Sequence, residues 1–322
     1  MNAFNNLDNN NGDKNEQFLT PVLFLIFNRL ETTQEVFARI KRIKPAQLFI
    51  AADGPRVNKE GEKDKCEEVR QWVLAQIDWN CEVKTLFRNT NLGCGLAISQ
   101  AITWFFENVE EGIILEDDCL PDISFFQFCA ELLERYRTDK KIMSVSGSYL
   151  LKKSLHLKEQ SYFFGHGSIW GWATWKRAWD LYDIRMTGWE QPSVQRQVKK
   201  ALKTKGLYRY YYPMFESVYK GTLDAWGVQW FYSILMNHGL GIQPVVNLVA
   251  NIGFGSEGTN TIEEDHAFAN ASLHSIAFPL RHPVRRTVNI EYLRQLSNVI
   301  YPQKKTGIRT LFEKIFSLIQ KS

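Results

Sequence analysis

The sequence predicts an α/β fold built on a mostly parallel, Rossmann-like sheet flanked by helices. Three observations carry the prediction. Short apolar runs without polar alternation recur through the first 150 residues, as strands buried on both faces should read. Each run is followed by a longer segment with apolar residues at helical spacing. Turn chemistry or a polar cluster closes each unit, and repeated β-α units of this kind build a doubly wound sheet.

The elements come in a regular order. Residues 22–27 form a continuous apolar run, the first strand. Residues 31–43 carry Val36, Phe37 and Ile40 at helical spacing, with Thr32 or Thr33 available as a cap. The second strand, 48–52, ends in the turn signature Asp53-Gly54-Pro55. A helix over 62–77 leads to a third strand at 83–87 and a helix over 95–107. The fourth strand, 112–115, ends on Glu116-Asp117-Asp118. A helix over 124–137 and a strand at 142–145 complete this half. Beyond residue 160 aromatics and glycines crowd 162–179. Helical patterns lie near 193–204 and 226–237, a strand near 243–249 and a loop over 253–261. Trp175 and Trp179 are four apart, the spacing of one helical face.

Composition bounds the function. The 322 residues suit one large α/β domain or two closely fused lobes, and 44% hydrophobic residues suffice for a sizeable core. A net charge of +4 is too small to argue for nucleic acid. No apolar run reaches the roughly 18 residues of a membrane span, and residues 1–17, rich in Asn, read as a disordered tail without a signal-peptide core. Five cysteines without a C-x-x-C pair fit a reducing cytoplasm better than a disulfide framework or a zinc site.

The acidic triplet is the most informative feature. Glu116, Asp117 and Asp118 directly follow Ile113-Ile114-Leu115, and open α/β sheets bind ligands beyond the carboxyl ends of their strands. Adjacent acids repel unless a cation or donors offset them. Hard oxygen ligands suit Mg²⁺ or Mn²⁺, which can bridge nucleotide phosphates. The plain alternative is a solvated loop that caps the following helix.

On this triplet the chain resembles GT-A glycosyltransferases, whose DXD-like motif takes a Glu-Asp-Asp form in N-acetylglucosaminyltransferase I and in bacterial polysaccharide sugar transferases. Three further segments match in order: Phe27-Asn28-Arg29, where the family begins its nucleotide pocket and which the resemblance places beside the donor, Ala52-Asp53-Gly54, and Asn89-Thr90-Asn91-Leu92-Gly93-Cys94-Gly95. The match covers about residues 20–150. The resemblance implies a nucleotide-diphospho-sugar transferase fold, with a nucleotide-sugar-binding half over 18–150 and an acceptor-binding half over 151–300. It implies a nucleoside-diphosphate sugar as donor, a UDP-sugar foremost, Asp118 as the metal ligand, and Glu116 and Asp117 beside the donor. Arg29 offers a planar fork to phosphate or a base carbonyl, or is a surface cation. Asp53 accepts from a ribose hydroxyl or a base N–H, or serves only its own turn. Gly93 and Gly95 permit a close backbone approach before a helix, or form a plain left-handed turn, and the resemblance places Asn91 and Gly93 beside the donor.

In the second half, Trp170-Gly171-Trp172-Ala173-Thr174-Trp175 resembles a stretch that recurs in bacterial relatives of this group. One of these tryptophans is expected against sugar and the rest in the core. His166, between two glycines, reaches a phosphate or is structural. An inverting transfer needs a base near the acceptor hydroxyl. Asp224 precedes an aromatic helix where the family keeps its base, and equally suits an N-cap of that helix. Glu216 and Glu190 are the fallbacks. The stretch from Asn251 to Thr261 resembles a family loop ending Thr-His-Thr, with Asn260 in place of the histidine and His266 nearby. Residues 301–322 read as a basic amphipathic helix suited to anionic lipid, or as an ordinary docked helix. The expectation is a metal-dependent, inverting glycosyltransferase of bacterial surface glycan synthesis, in the cytoplasm or at the inner membrane face, acting on a glycan or lipid-linked acceptor. The alternatives are a sugar nucleotidyltransferase, whose Gly-rich signature is missing from 24–30, and a non-catalytic carbohydrate-binding protein.

Overall fold

The computed structural model describes residues 17–301 apart from 152–154, 156, 158 and 255–270. The expectations for the N-terminal tail, for Asn260 and His266, and for the C-terminal basic helix lie outside the described residues.

The first half shows the expected alternation: β1 (Val22–Ile26), α1 (Leu30–Ile43), β2 (Gln47–Ala52), α2 (Glu62–Ala75), β3 (Glu82–Phe87), α3 (Gly93–Asn108) and β4 (Glu111–Glu116). After it come β5 (Cys119–Pro121), α4 (Ile123–Tyr136), β6 (Ile142–Ser146), β7 (Tyr162–Gly165), β8 (Trp172–Trp175) and α5 (Lys176–Trp179). The chain continues through α6 (Pro192–Ala201), α7 (Lys205–Tyr219), α8 (Gly227–Met236), β9 (Leu240–Pro244), β10 (Val249–Asn251) and α9 (Ile290–Ile300).

Eight strands form one sheet in the order β3-β2-β1-β4-β8-β6-β9-β7. β1, β2, β3 and β4 run parallel, as do β6 and β9, while β8 and β7 are reversed against their neighbours. The sheet is therefore mostly parallel and takes strands from both sides of residue 150.

Helices cover both faces, which explains why the strands read as unbroken apolar runs. In β1, Val22, Phe24 and Ile26 point into one core with α1, α2 and α4. Leu23 and Leu25 point into the other, with α3, α5 and α8. A third core joins Phe163 to α6, α7 and α9.

Several local expectations are corrected. Neither Thr32 nor Thr33 caps α1. The cap position is Arg29, and both threonine hydroxyls donate back to the Arg29 carbonyl from inside the helix. Trp175 and Trp179 do not share a helical face: Trp175 ends β8 and packs in one core, while Trp179 sits in α5 and packs in the other. The strand expected at 243–249 is two strands, β9 and β10, separated by a bend, because β10 leaves the main sheet to pair antiparallel with β5. Thr204 does not extend α6; its side chain accepts from Leu207 N–H and starts α7. Among the described residues no helix is long and apolar enough to cross a membrane.

Trp172, fully buried, is the hub of the second core, with ring centroids 5.6 Å from both Trp226 and Trp230 and 6.2 Å from Trp179. Trp172→Ala is expected to lower stability by about 3–5 kcal/mol, the scale of a large aromatic deletion. Urea unfolding checks it, and a cost below about 1 kcal/mol would remove Trp172 from that central position.

Candidate active site

The carboxyl ends of β1, β2 and β4 lie side by side, since Ile26 pairs with Ala52 and Leu25 with Glu116. The residues just past these strands are delivered to one edge: Phe27 and Arg29 after β1, Asp53 after β2, and Asp117 and Asp118 after Glu116. Ligands bind at such an edge in open α/β sheets.

One guanidinium nitrogen of Arg29 bridges two acids, at 2.5 Å from Asp117 Oδ1 and 2.9 Å from Asp118 Oδ2. Asp117 is buried, and its other oxygen, Oδ2, has no hydrogen-bond partner among the described residues. Burial pushes the Asp117 carboxyl above its usual range, with Arg29 pulling it back part of the way. Burial, then the charges of Asp118 and Asp117, push Glu116 up as well. Glu116 and Asp117 therefore hold protons more tightly than free carboxylates.

The short ribbon of β5 and β10 fixes the triplet from the far side. Ile252 N–H donates to the Asp118 carbonyl at 2.8 Å. The loop then passes so close over the ion pair that a side chain at Gly253 would collide with Asp118 and lie 2.8 Å from Arg29 Nη1. Only glycine permits that approach.

Asp53 is committed to backbone. Its carboxylate accepts from Gly54 N–H, Leu92 N–H and Gly93 N–H at 2.9–3.1 Å. Asn91 Nδ2 donates to the Gly54 carbonyl at 2.8 Å. These two side chains hold the turn after β2 against the loop before α3.

Asp224 does not cap α8, whose cap position is Trp226 without a side-chain bond. Its Oδ1 accepts from Gly95 N–H at 2.8 Å, in the first turn of α3. Gly93, at φ +80°, leaves room for Oδ2, with which any side chain would collide. The close approach expected at this glycine loop is thus made by a protein carboxylate. Asp224 is otherwise exposed.

These groups line a single cavity of about 510 Å³: Phe27, Arg29, Asp53, Asn91, Gly93, the acidic triplet and Asp224. That volume lies within the usual range of small-molecule sites. Two expected binding residues are elsewhere. Asn28 turns away and donates to Glu62 Oε1 at 3.0 Å, at the start of α2. His166 lies in a separate cavity. The fallback bases are also outside: Glu216 accepts from Trp189 Nε1 and pairs with Lys220, and Glu190 accepts from the Tyr219 hydroxyl.

Sequence reasoning missed Arg88 and Arg56 in the lining, which also takes in Asn251, the first residue of the expected family loop, and Trp170, one of the tryptophans of which a single one is expected against sugar. Arg88 directly follows β3, so the strand-end logic that singles out Arg29 reaches it too. Of the tryptophans at 170, 172, 175 and 179, only Trp170 is not buried. Its ring lies edge-on to Phe254 at 5.7 Å. Among the described residues, no group of three or more His, Cys, Asp or Glu side chains is arranged to hold a metal ion by itself.

No family model matches the chain, and no curated protein matches it. Among solved structures it is similar to HddC from Yersinia pseudotuberculosis, at 11% identity and TM-score 0.32, over 49% of this chain and 78% of that one. It is similar to the S. aureus TarS fragment 1–349, at 11% identity and TM-score 0.35, over 52% of this chain and 50% of that fragment. The inositol-1-phosphate CTP transferase from T. maritima aligns at 11% identity and TM-score 0.30, over 52% and 74%.

Arg29→Met tests the cluster. Breaking a buried ion pair from one side costs about 3–5 kcal/mol, and the carboxyls set the sign with pH. Without the cation the folded pKa of Asp117 rises further above its unfolded value of about 3.9. Protonation then favours the fold at low pH, and that contribution is lost as pH rises through the folded value. The variant should therefore be most destabilised at pH 8 and recover toward pH 5 in urea unfolding. Equal destabilisation at both would overturn the electrostatic account.

Proposed function

We propose that the chain is a GT-A glycosyltransferase that moves a sugar from a nucleoside diphosphate to an acceptor hydroxyl with inversion. One observation carries the reading: a single cavity gathers a bridging arginine, a carboxylate cluster at the end of a buried strand, and an exposed carboxylate from the other half of the chain. Cytosolic action on a UDP-sugar for glycan synthesis is the fuller form of the same proposal.

The residues fit a divalent cation that arrives with the diphosphate. Arg29 engages one oxygen each of Asp117 and Asp118. The second Asp117 oxygen is buried and unpartnered among the described residues, and Asp118 is partly open to the cavity. An all-oxygen set of one or two carboxylates suits Mn²⁺ or Mg²⁺ completed by phosphates. Asp118 and Asp117 would hold the ion, with Glu116 behind them, and it would supply positive charge against the diphosphate. Arg29 sets a fixed donor beside the same charge, where preorganised dipoles lower a barrier most.

Asp224 Oδ2 takes the proton of the acceptor hydroxyl. The acceptor oxygen bonds to the anomeric carbon as the bond from that carbon to the diphosphate oxygen breaks, and the diphosphate leaves with the electron pair. Asp53 and Asn91 keep the nucleoside side of the cavity in shape through their backbone contacts.

The deciding experiment incubates the protein with UDP-glucose, UDP-N-acetylglucosamine or GDP-mannose and Mn²⁺, and monitors release of nucleoside diphosphate. Pyrophosphate released from a nucleoside triphosphate and a sugar 1-phosphate would instead establish the nucleotidyltransferase reading. Binding of sugars without either release would establish the carbohydrate-binding one. Asp118→Ala, or EDTA, should abolish transfer while leaving the melting temperature near that of the parent. Full activity in either sinks the metal role.

Asp224→Asn separates the base from the brace. Asparagine keeps an oxygen for Gly95 N–H, so melting temperature and UDP affinity should hold while turnover falls about 10²–10⁴-fold, the range for a lost general base. Undiminished turnover would remove Asp224 from the chemistry.

A further inference from the structure

A second cavity of about 350 Å³ lies between β6, β9 and the helices α7, α8 and α9. Its walls are apolar and aromatic, with Tyr210, Tyr211, Phe231 and Tyr292 among them, and among the described residues no Asp, Glu, Lys or Arg lines it. Set into these walls is a group of polar atoms with no protein partner among the described residues. Of the nine buried side-chain polar atoms without a hydrogen bond among those residues, five belong here: both ring nitrogens of His166, the hydroxyls of Ser144 and Ser168, and Gln243 Oε1. Ser144 and Gln243 are each 1% exposed and His166 7%. An unpaired buried polar atom costs about 1–3 kcal/mol, and five of them belong to side chains that line this one cavity.

The backbone holds them there. Gly167 takes φ +83°, and a side chain at it would lie 2.7 Å from Ser144 Oγ. His166 is thereby set against Phe231, ring to ring at 5.9 Å. Ile169, Trp170, Gly227 and Val228 line both this cavity and the one that holds the acidic triplet. A molecule seated in the second cavity abuts the first across that common wall.

We infer that this cavity receives an uncharged sugar ring of the acceptor, held by the polar edge of His166, Ser144, Ser168 and Gln243 and by the surrounding aromatic faces. The ligand class rests on the transferase reading; the cavity and its unpaired atoms do not. A hexose or N-acetylhexosamine has apolar C–H faces for aromatic rings and hydroxyl or amide groups for the five polar atoms. An alkyl chain would leave those atoms unpaired. A uronic acid or an amino sugar would bring a charge into a cavity that no charged side chain lines among the described residues. Burial also pulls the His166 pKa down to about 4, so the ring is neutral, one nitrogen donating and the other accepting.

The test titrates the full chain with N-acetylglucosamine, galactose, glucuronate and glucosamine, by saturation-transfer NMR and calorimetry, and separately with UDP. The neutral sugars should bind and the two charged ones at least about tenfold more weakly, as for an unpaired buried group. His166→Phe puts an apolar ring of similar shape in place. It should raise the melting temperature, since two unpaired atoms are gone, and weaken neutral-sugar binding about tenfold or more, with UDP affinity unchanged. Ser144→Ala should move both readouts the same way, and decides the matter if His166→Phe does not fold. Three results overturn the inference: no neutral sugar binds, which makes the cavity a water-filled one; charged sugars bind equally well; or His166→Phe lowers the melting temperature and leaves sugar binding intact. If neutral sugars bind through His166 but UDP does not bind, the transferase reading fails and the cavity assignment stands. If UDP-sugar is turned over but neutral sugars ignore His166, this inference alone fails.

Discussion

The edge of the sheet that forms the site depends on one nitrogen atom of Arg29. Parallel strands β1 and β4 are neighbours, so the segments leaving their carboxyl ends are forced together. The segment leaving β4 carries three carboxylates. Packed against a buried strand end, such a group is costly unless a cation stands among them. Arg29 supplies it from the adjacent strand, reaching both Asp117 and Asp118. The rest is arranged around that contact. The β5–β10 ribbon holds the triplet's backbone, and Gly253 lets its loop close over the pair. The same arginine is also the residue at which α1 begins.

A second constraint concerns the loop before α3. A helix N-terminus preceded by glycines ordinarily offers its N–H groups to an external anion. Here protein carboxylates take them. Asp53 accepts from Leu92 and Gly93, and Asp224 from Gly95. The loop is gripped by one acid from the end of β2 and another from beyond residue 220. The loop thereby braces Asp224 at the cavity, where both acids occupy its N–H groups.

The first half is legible in the sequence because each strand there is buried on both faces and each helix presents an apolar stripe. The pattern therefore names the element, from Val22 to the acidic triplet. Arg29, Asp53 and the triplet can be placed from strand ends alone, and they do line one cavity. The second half is less legible for physical reasons. β5 and β10 are three residues each and β7 and β8 four, too short for a period. α7 is dense in tyrosine, contains Pro213 and buries only Leu207 and Phe215, so no stripe shows. Trp175 and Trp179 at helical spacing lie on opposite sides of the sheet, since a strand ends between them. Asn28 and His166 gain their sequence reading from their neighbours in the chain, yet Glu62 draws the one out of the first cavity and the turn at Gly167 the other.

The bond between Asp224 and Gly95 joins residues 129 positions apart, and that span sets an order in time. Strands β1 to β4 pair within the first 116 residues, so their sheet can assemble while later parts of the chain are still being synthesised. Asp224 cannot reach the cavity until residues beyond 224 have emerged, and the β10 ribbon and Gly253 that close over the acidic triplet come later still. Contacts of such separation form late, after the loop entropy of everything between them has been overcome. During synthesis, then, the strands that carry Arg29 and the acidic triplet are made before Asp224 and before the ribbon that closes over them. Sites of this construction are finished by their last-arriving residue.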